Sequence, residues 1–478
     1  MKPIIKAKLK FLFFTLLLLP QIILGQSKVI SLNNAINMAL KSNRNIKIAE
    51  LDVKKANAAV KEAFGYALPS VDVSANISRF LSKPQISFPD FNALLTNSTY
   101  DILFKESVLP EDKSKFLPVN NVLQTFANTN NYQIDIKATQ ILFNAAVFRG
   151  IGASEIYLDL SKEKLKSEIS KTVLDVKKAF YGVLLAKKLF AITKTRFANA
   201  QEHLSNIKAM KTEGLVSDFN EMQAEVQVEN IRPILVKMQN IYNDAKNGLK
   251  ILLNIPQSEE INLTGELTYN NNSLPNENEL VSQAINNNLD LSTLKIKNQL
   301  DDEFTAIDKG NYWPTIAAFG AYSNAGTSDD WNFSTYNSTT IGISFTMNLF
   351  QGGRTSHKVQ QDRITGLQTR EQISSLKDAT ILQVKSKLND LKRVQSQIEA
   401  MNRNVKLAKR AYQIAEDRFK QGTGNELEVK DANVSLSQAK VNYANSVHDY
   451  LVAKADLDNL LGTVEPKYFD EYSEYLNK

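Results

Sequence analysis

The sequence predicts an α+β membrane protein in which amphipathic strands alternate with long coiled-coil helical hairpins, the whole unit occurring twice in the chain. Three observations predict it: an internal repeat, a hydrophobic period that switches between two and about three and a half, and two proline-free stretches of nearly 70 residues.

At the start, Lys2, Lys6, Lys8 and Lys10 precede an apolar run over 11–19, with Pro20 and Gly25 ahead of Gln26. This is the layout of a secretory signal peptide, expected over residues 1–25, and its apolar core is too short for a good spanning helix. With no cysteine in the chain, neither a disulfide framework nor a lipid-modified N-terminal Cys is expected. Of the net charge of +6, four units belong to the leader lysines and no acid precedes Gln26, which leaves +2 for the mature chain. The 57 Lys and Arg are interspersed with the 51 Asp and Glu along helical segments, a solvated mixed-charge surface and not the clustered cationic face of a nucleic-acid binder.

Residues 31–71 realign on 276–316 at a constant offset of 245, pairing Ile36 with Val281, Ala39 with Ala284, Asn43 with Asn288, Gly65 with Gly310 and Pro69 with Pro314. From about residue 132 the offset becomes 207 to 208, pairing Ile134 with Ile341, Gly214 with Gly422, Tyr242 with Tyr450 and Leu252 with Leu460. The drop from 245 to 207 leaves 38 extra residues in the first copy, between 80 and 130. The expected organisation is a first repeat over 31–254, a connector over 255–275, a second repeat over 276–462 and a C-terminal tail over 463–478.

Each copy opens with an Ala-, Lys- and Asn-rich helical segment, 32–64 or 279–309, begun by a capping-type residue, Ser31 or Asn278, and ended by Gly then Pro. The period then drops to two: Val71, Val73, Ala75 and Ile77 alternate with Asp72, Ser74, Asn76 and Ser78. Tyr132, Ile134, Ile136 and Ala138 do the same, as do Ile341, Ile343, Phe345, Met347 and Leu349, while 315–323 is less regular. Strands of about 9 to 11 residues cross a bilayer at a tilt, apolar toward lipid and polar toward a lumen. The long helices follow over 145–212 and 352–421; at 1.5 Å per residue each is roughly 100 Å long. Ile381, Val384, Leu388, Leu391, Ile398, Met401, Val405, Ala408, Tyr412, Ala415 and Phe419 keep a 3-4 alternation, with Gln395 filling one gap, and Leu165, Ile169, Val173, Val176, Phe180 and Leu184 form the seam of the first copy. Each long helix stops at a Gly-containing turn, around Gly214 or Gly422, and a second helix returns for nearly 40 residues. Four strands cannot close a barrel, and an open edge is not tolerated in lipid, so two or more copies must share one.

The duplicated Gly-x-x-x-Pro, the Leu142-Phe143-Asn144 and Leu349-Phe350-Gln351-Gly352-Gly353-Arg354 turns, the Gly-containing hairpin tips and the Leu252-Leu253 and Leu460-Leu461-Gly462 helix ends occur in matching order, and over 31–462 the chain resembles the TolC-type outer membrane efflux protein family. The resemblance implies four transmembrane strands per chain in a shared trimeric 12-stranded barrel and a periplasmic α-helical tunnel. It also implies a homotrimer in the cell outer membrane that serves as the exit duct of an efflux or type I secretion system, docked to a periplasmic adaptor protein and an inner-membrane pump. By the same resemblance the hairpin tips, Gly214, Leu215, Val216 and Ser217 with Gly422 and Thr423, contact the adaptor. Acidic residues near the closed end ring the aperture, for which this chain offers Glu416 and Asp417. The family's upstream acid falls near Gln413 here, which thins or displaces that ring.

The insertion at 80–130 carries Phe80, Phe88, Phe91, Phe104, Phe116 and Phe126 and, by topology, lies on the outer side of the barrel, as a lid, a contact for an external partner or variable decoration. No enzyme is expected: His203, His357 and His448 are isolated, and neither a Cys nucleophile, a metal-ligand spacing nor a phosphate-binding Gly loop occurs, so no metal or cofactor is expected either. The competing reading is a periplasmic coiled-coil adaptor or scaffold without a pore; an adaptor would have one hairpin flanked by β-rich domains, and a scaffold gives no reason for duplicated alternating strands.

Overall fold

The computed structural model describes residues 28–271 and 275–476; the expected signal peptide lies outside the described residues. Two compact units divide the chain. One comprises the residues up to Ala59 with Ser154–Asp302 and Arg363–Lys478, and the other comprises Val60–Ala153 with Glu303–Asp362.

In the first unit, β1 (Lys28–Ile30) pairs in parallel with β6 (Ile261–Leu263), so the expected connector contributes a strand and is not a bare linker. The two opening helical segments are each broken in two, a correction to the single helices expected. α1 (Leu32–Ser42) and α2 (Arg44–Gly65) meet at Asn43, and α6 (Glu277–Asn287) and α7 (Leu289–Gly310) meet at Asn288. Both asparagines are extended, at ψ 129° and 121°, and turn their side chains onto the next helix, Asn43 accepting from the Asn45 N–H at 2.7 Å and Asn288 from the Leu291 N–H at 3.0 Å. Ser31 caps α1 as its sequence suggests. The cap of α6 is Asn276 and not Asn278, which lies inside the helix and donates its backbone N–H to Asn276 at 2.9 Å. That register sets Glu277 and Glu279 in the first turn, where the helix dipole favours acids.

The long helices are α4 (Ala145–Thr212) and α8 (Arg354–Lys420), returned by α5 (Asp218–Leu252) and α9 (Glu426–Leu460). The seam of α4 is buried at Leu165, Ile169, Val173, Val176, Phe180 and Leu184. On α8, Val384, Leu388, Leu391, Val394 and Ile398 pack with Leu280 and Ala284 of α6 and with Val447, Tyr450 and Leu457 of α9. Val394, 2% exposed, fills the gap assigned from sequence to Gln395, which is only half-buried: the spacing from Leu391 to Val394 to Ile398 is still three then four, and the apolar neighbour takes the buried place. The C-terminal tail also packs inward. α10 (Lys467–Asp470) and α11 (Ser473–Leu476) bury Tyr468 and Tyr472, and the Tyr472 hydroxyl donates to the Leu40 carbonyl at 2.5 Å.

The second unit holds one antiparallel sheet in the order β2 (Ser70–Arg79), β5 (Asn130–Phe143), β7 (Thr315–Ser328) and β8 (Ser334–Thr346). The strands of the two repeats meet in the middle, and β2 and β8 are the edges. The inserted residues form the two-stranded ladder β3 (Ile86–Pro89) and β4 (Asn121–Gln124) with the helix α3 (Phe91–Lys105) between them.

Candidate functional site

The register of the sheet separates its two faces. Val73 pairs with Ile136 and Ile136 with Tyr322; Val71 pairs with Ala138, Ala138 with Gly320 and Gly320 with Ile341. These rows share one face because side chains alternate along every strand. The opposite face carries Asp72, Ser74 and Asn76, then Gln133, Asp135 and Lys137, then Ser323, Ser338 and Thr340. On the apolar face Val73 is 68% exposed, Ile341 84% and Ile343 72%. Apolar side chains left this bare on one face are not the solvated face of a soluble sheet. They match the lipid face of a barrel, with the polar face toward a lumen. The only two tryptophans in the chain, Trp313 and Trp331, bracket β7, and both are more than half exposed, as in the aromatic girdles that flank a lipid-facing band. The strand pattern pointed to this face, but the bracketing by tryptophan becomes visible only once β7 is placed between them. No helix among the described residues is long and apolar enough to cross a membrane.

The hairpin tips repeat one local solution. Gly214 and Gly422 take φ of 72° and 70°, a left-handed conformation that closes the end of α4 and of α8. The Leu215 N–H donates to the Met210 carbonyl and the Thr423 N–H to the Arg418 carbonyl, both at 2.9 Å. Ser217 then caps α5 in a reciprocal box with Asn220, and Asn425 caps α9 by accepting from the Glu428 N–H at 2.9 Å. Lys211 bridges Asp218 and Glu221, each at 2.5 Å, and hydrogen bonding to these two carboxylates raises its pKa while Asp218's falls. At the first tip Leu215 is 70% exposed, a bare apolar side chain at the turn.

The two candidate aperture acids do not stand alike. Asp417 is exposed, whereas Glu416 turns into a cleft and pairs with Lys420 at 3.0 Å. The cleft, about 760 Å³, lies among α4, α5, α8 and α9 and is lined by Asn199, His203, Met210, Tyr412, Glu416 and Phe419 among others. Sequence reasoning missed the contact beside it: Glu426, 7% exposed, approaches His203 Nε2 at 3.6 Å and accepts from Asn220 Nδ2 at 3.3 Å, joining the first hairpin to the second. His203 also lies against Phe419, ring centroids 5.4 Å apart. These residues are more than 200 positions apart, and no local motif links them. No group of three or more potential metal-ligating side chains occurs among the described residues.

A model of the outer membrane efflux protein family matches residues 35–254 and 280–463. The outer membrane protein TolC of Salmonella enteritidis is 23% identical over 350 residues, covering 70% of each chain. Among solved structures, the Campylobacter jejuni CmeC outer membrane channel superimposes with a TM-score of 0.70 at 16% identity, over 93% of this chain and 89% of that one. CusC, described in structures that follow folding and transmembrane channel formation, superimposes with a TM-score of 0.69 at 18% identity, over 90% of this chain and 92% of that one.

Proposed function

The chain belongs to the outer membrane efflux protein family, which makes it an exit duct of the cell outer membrane, and we propose that it works as a homotrimer. Each copy supplies four strands to one twelve-stranded barrel and two helical hairpins to a periplasmic tunnel. The observation that carries this reading is the sheet itself: β2 and β8 are unpaired edges, and one face is apolar while the other is polar. Hydrocarbon does not accept an open edge, so β8 of one copy pairs with β2 of the next, and in the proposed trimer the third copy returns to the first.

Within that assembly the duct is passive, and an inner-membrane pump and its periplasmic adaptor supply the drive. The tips at Gly214, Leu215, Val216 and Ser217 and at Gly422 and Thr423 are the adaptor contacts, with exposed Leu215 as the apolar anchor. Asp417 forms the aperture ring. Glu416 adds less, because Lys420 already answers its charge. Three carboxylates around one axis focus the field and favour cations.

The test is the native mass of protein extracted from outer membranes. A detergent-dependent particle of three chains is expected; release by salt or alkali as a single chain would overturn the reading.

A further inference from the structure

The outer segment is held firmly at its root. Asp329, in the turn after β7, pairs with Lys83 at 2.6 Å and accepts from the Thr129 N–H and hydroxyl at 2.8 and 2.7 Å. Those contacts hold its carboxyl well below the usual carboxylate range. Asn128 adds a bond to Thr327 at 2.8 Å.

Inside the segment, one face of α3 is used. Ala93 is buried, Tyr100 stacks on Phe104, and Phe104 meets Phe116 edge-on. Asn97 closes a pair of hydrogen bonds with the Leu117 backbone at 2.9 and 2.7 Å. The opposite face is bare: Phe91 is 51% exposed, Leu95 55% and Ile102 59%. With Ser98 between them, these positions are spaced four, three and four, the rhythm by which helices pack on like helices. Phe88 lies against Phe91, ring centroids 6.4 Å apart, yet Phe91 stays half exposed, as do Leu95 and Ile102.

We propose that the Phe91, Leu95 and Ile102 stripe of α3 packs against α3 of the neighbouring copies, an apolar collar at the outer mouth of the duct. The inference rests on the trimer proposed above. Continuity with the strand seam points to a second copy as the occupant: the segment grows directly from Arg79, the outer end of edge strand β2, which takes the neighbouring copy's β8. Lipid is the poorer occupant, because Glu106, Glu111, Asp112, Lys113 and Lys115 follow α3 at once, all exposed, and keep it in water.

The absence of cysteine gives a clean test. Leu95→Cys and, separately, Ile102→Cys are oxidised mildly in isolated outer membranes, with Glu111→Cys as the control on the same segment. At least tenfold more disulfide-linked dimer is expected for the two stripe variants than for the control. Native mass is measured on the same samples. Dimer yields no greater than the control in a three-chain particle overturn the collar, as does cross-linking only to a foreign protein. A one-chain particle overturns the trimer on which the collar depends.

Discussion

Asp456 of α9 faces Lys178 of α4 at 2.5 Å and Lys387 of α8 at 2.9 Å, so one carboxylate ties three helices. Burial pushes its pKa up, but the two ammonium groups more than offset this and hold it below the usual value. A lowered folded pKa contributes stability that is present above the unfolded value, about 3.9, and is lost as pH falls through the folded one. Asp456→Asn is expected to destabilise the chain by about 1–2 kcal/mol at pH 7, since it leaves two ammonium groups without their carboxylate. Thermal melts of the two proteins should converge below about pH 4; a gap that persists unchanged at pH 3 would show that packing and not charge is at stake. On the proposal that Asp417 rings the aperture, Asp417→Ala should reduce cation selectivity in planar bilayers, read as a shift of reversal potential toward zero, and Glu416→Ala should do so less because Lys420 screens that carboxylate. Equal effects of the two would contradict the difference in their surroundings. These acids were nameable from sequence, but their inequality was not, because it depends on which side of α8 each occupies.

At the scale of elements, Asn43 and Asn288 occupy equivalent positions in the two repeats and each begins the second of two helices. Replacing both by Ala removes two caps at about 1 kcal/mol each, with a matching loss expected in urea midpoint. Asn288 also donates to the Leu460 carbonyl at 3.2 Å, so the Asn288 substitution should be the more damaging of the two. On α8, Val394→Ala is expected to cost about 1–3 kcal/mol through the cavity it leaves in the seam, measurable in the same titrations. Most of this level was legible in the residues. The ends of α4 and α5 follow from Thr212, Gly214 and Ser217, because a left-handed C-terminal glycine and a serine cap are local chemistry. The breaks at Asn43 and Asn288 escaped detection because the apolar period runs on through them, and the asparagine signal is visible only when both copies are read together. The choice of Asn276 over Asn278, and of Val394 over Gln395, lay beyond pattern reading for a shared reason: either residue satisfies the local rule, and the packing of the completed helix decides. The same limit hid the Glu426 contact with His203 and Asn220, which joins positions that no periodicity relates.

For the whole molecule, the proposed assembly requires one sheet to satisfy lipid, water and a neighbouring chain at once. Ile341 and Thr340 are successive residues on edge strand β8, at nearly the same depth, and the pleat sends their side chains to opposite faces. Ile341, 84% exposed, belongs to the apolar row that continues through Gly320, Ala138 and Val71. Thr340 belongs to the polar row with Ala321, Lys137 and Asp72. A lysine placed in hydrocarbon near the bilayer midplane costs about 2–4 kcal/mol, whereas a lysine facing a water-filled lumen is solvated. Ile341→Lys should therefore deplete the three-chain oligomer in outer-membrane fractions by at least tenfold. Thr340→Lys should leave that oligomer intact and appear instead as altered single-channel conductance, because its charge enters the lumen. If both variants assembled equally well, the two faces would share one environment and the sheet would not be a barrel wall. If the effects were reversed, the sheet would be inside out, and the lumen assignment of Asp72, Asp135 and Lys137 would fall with it.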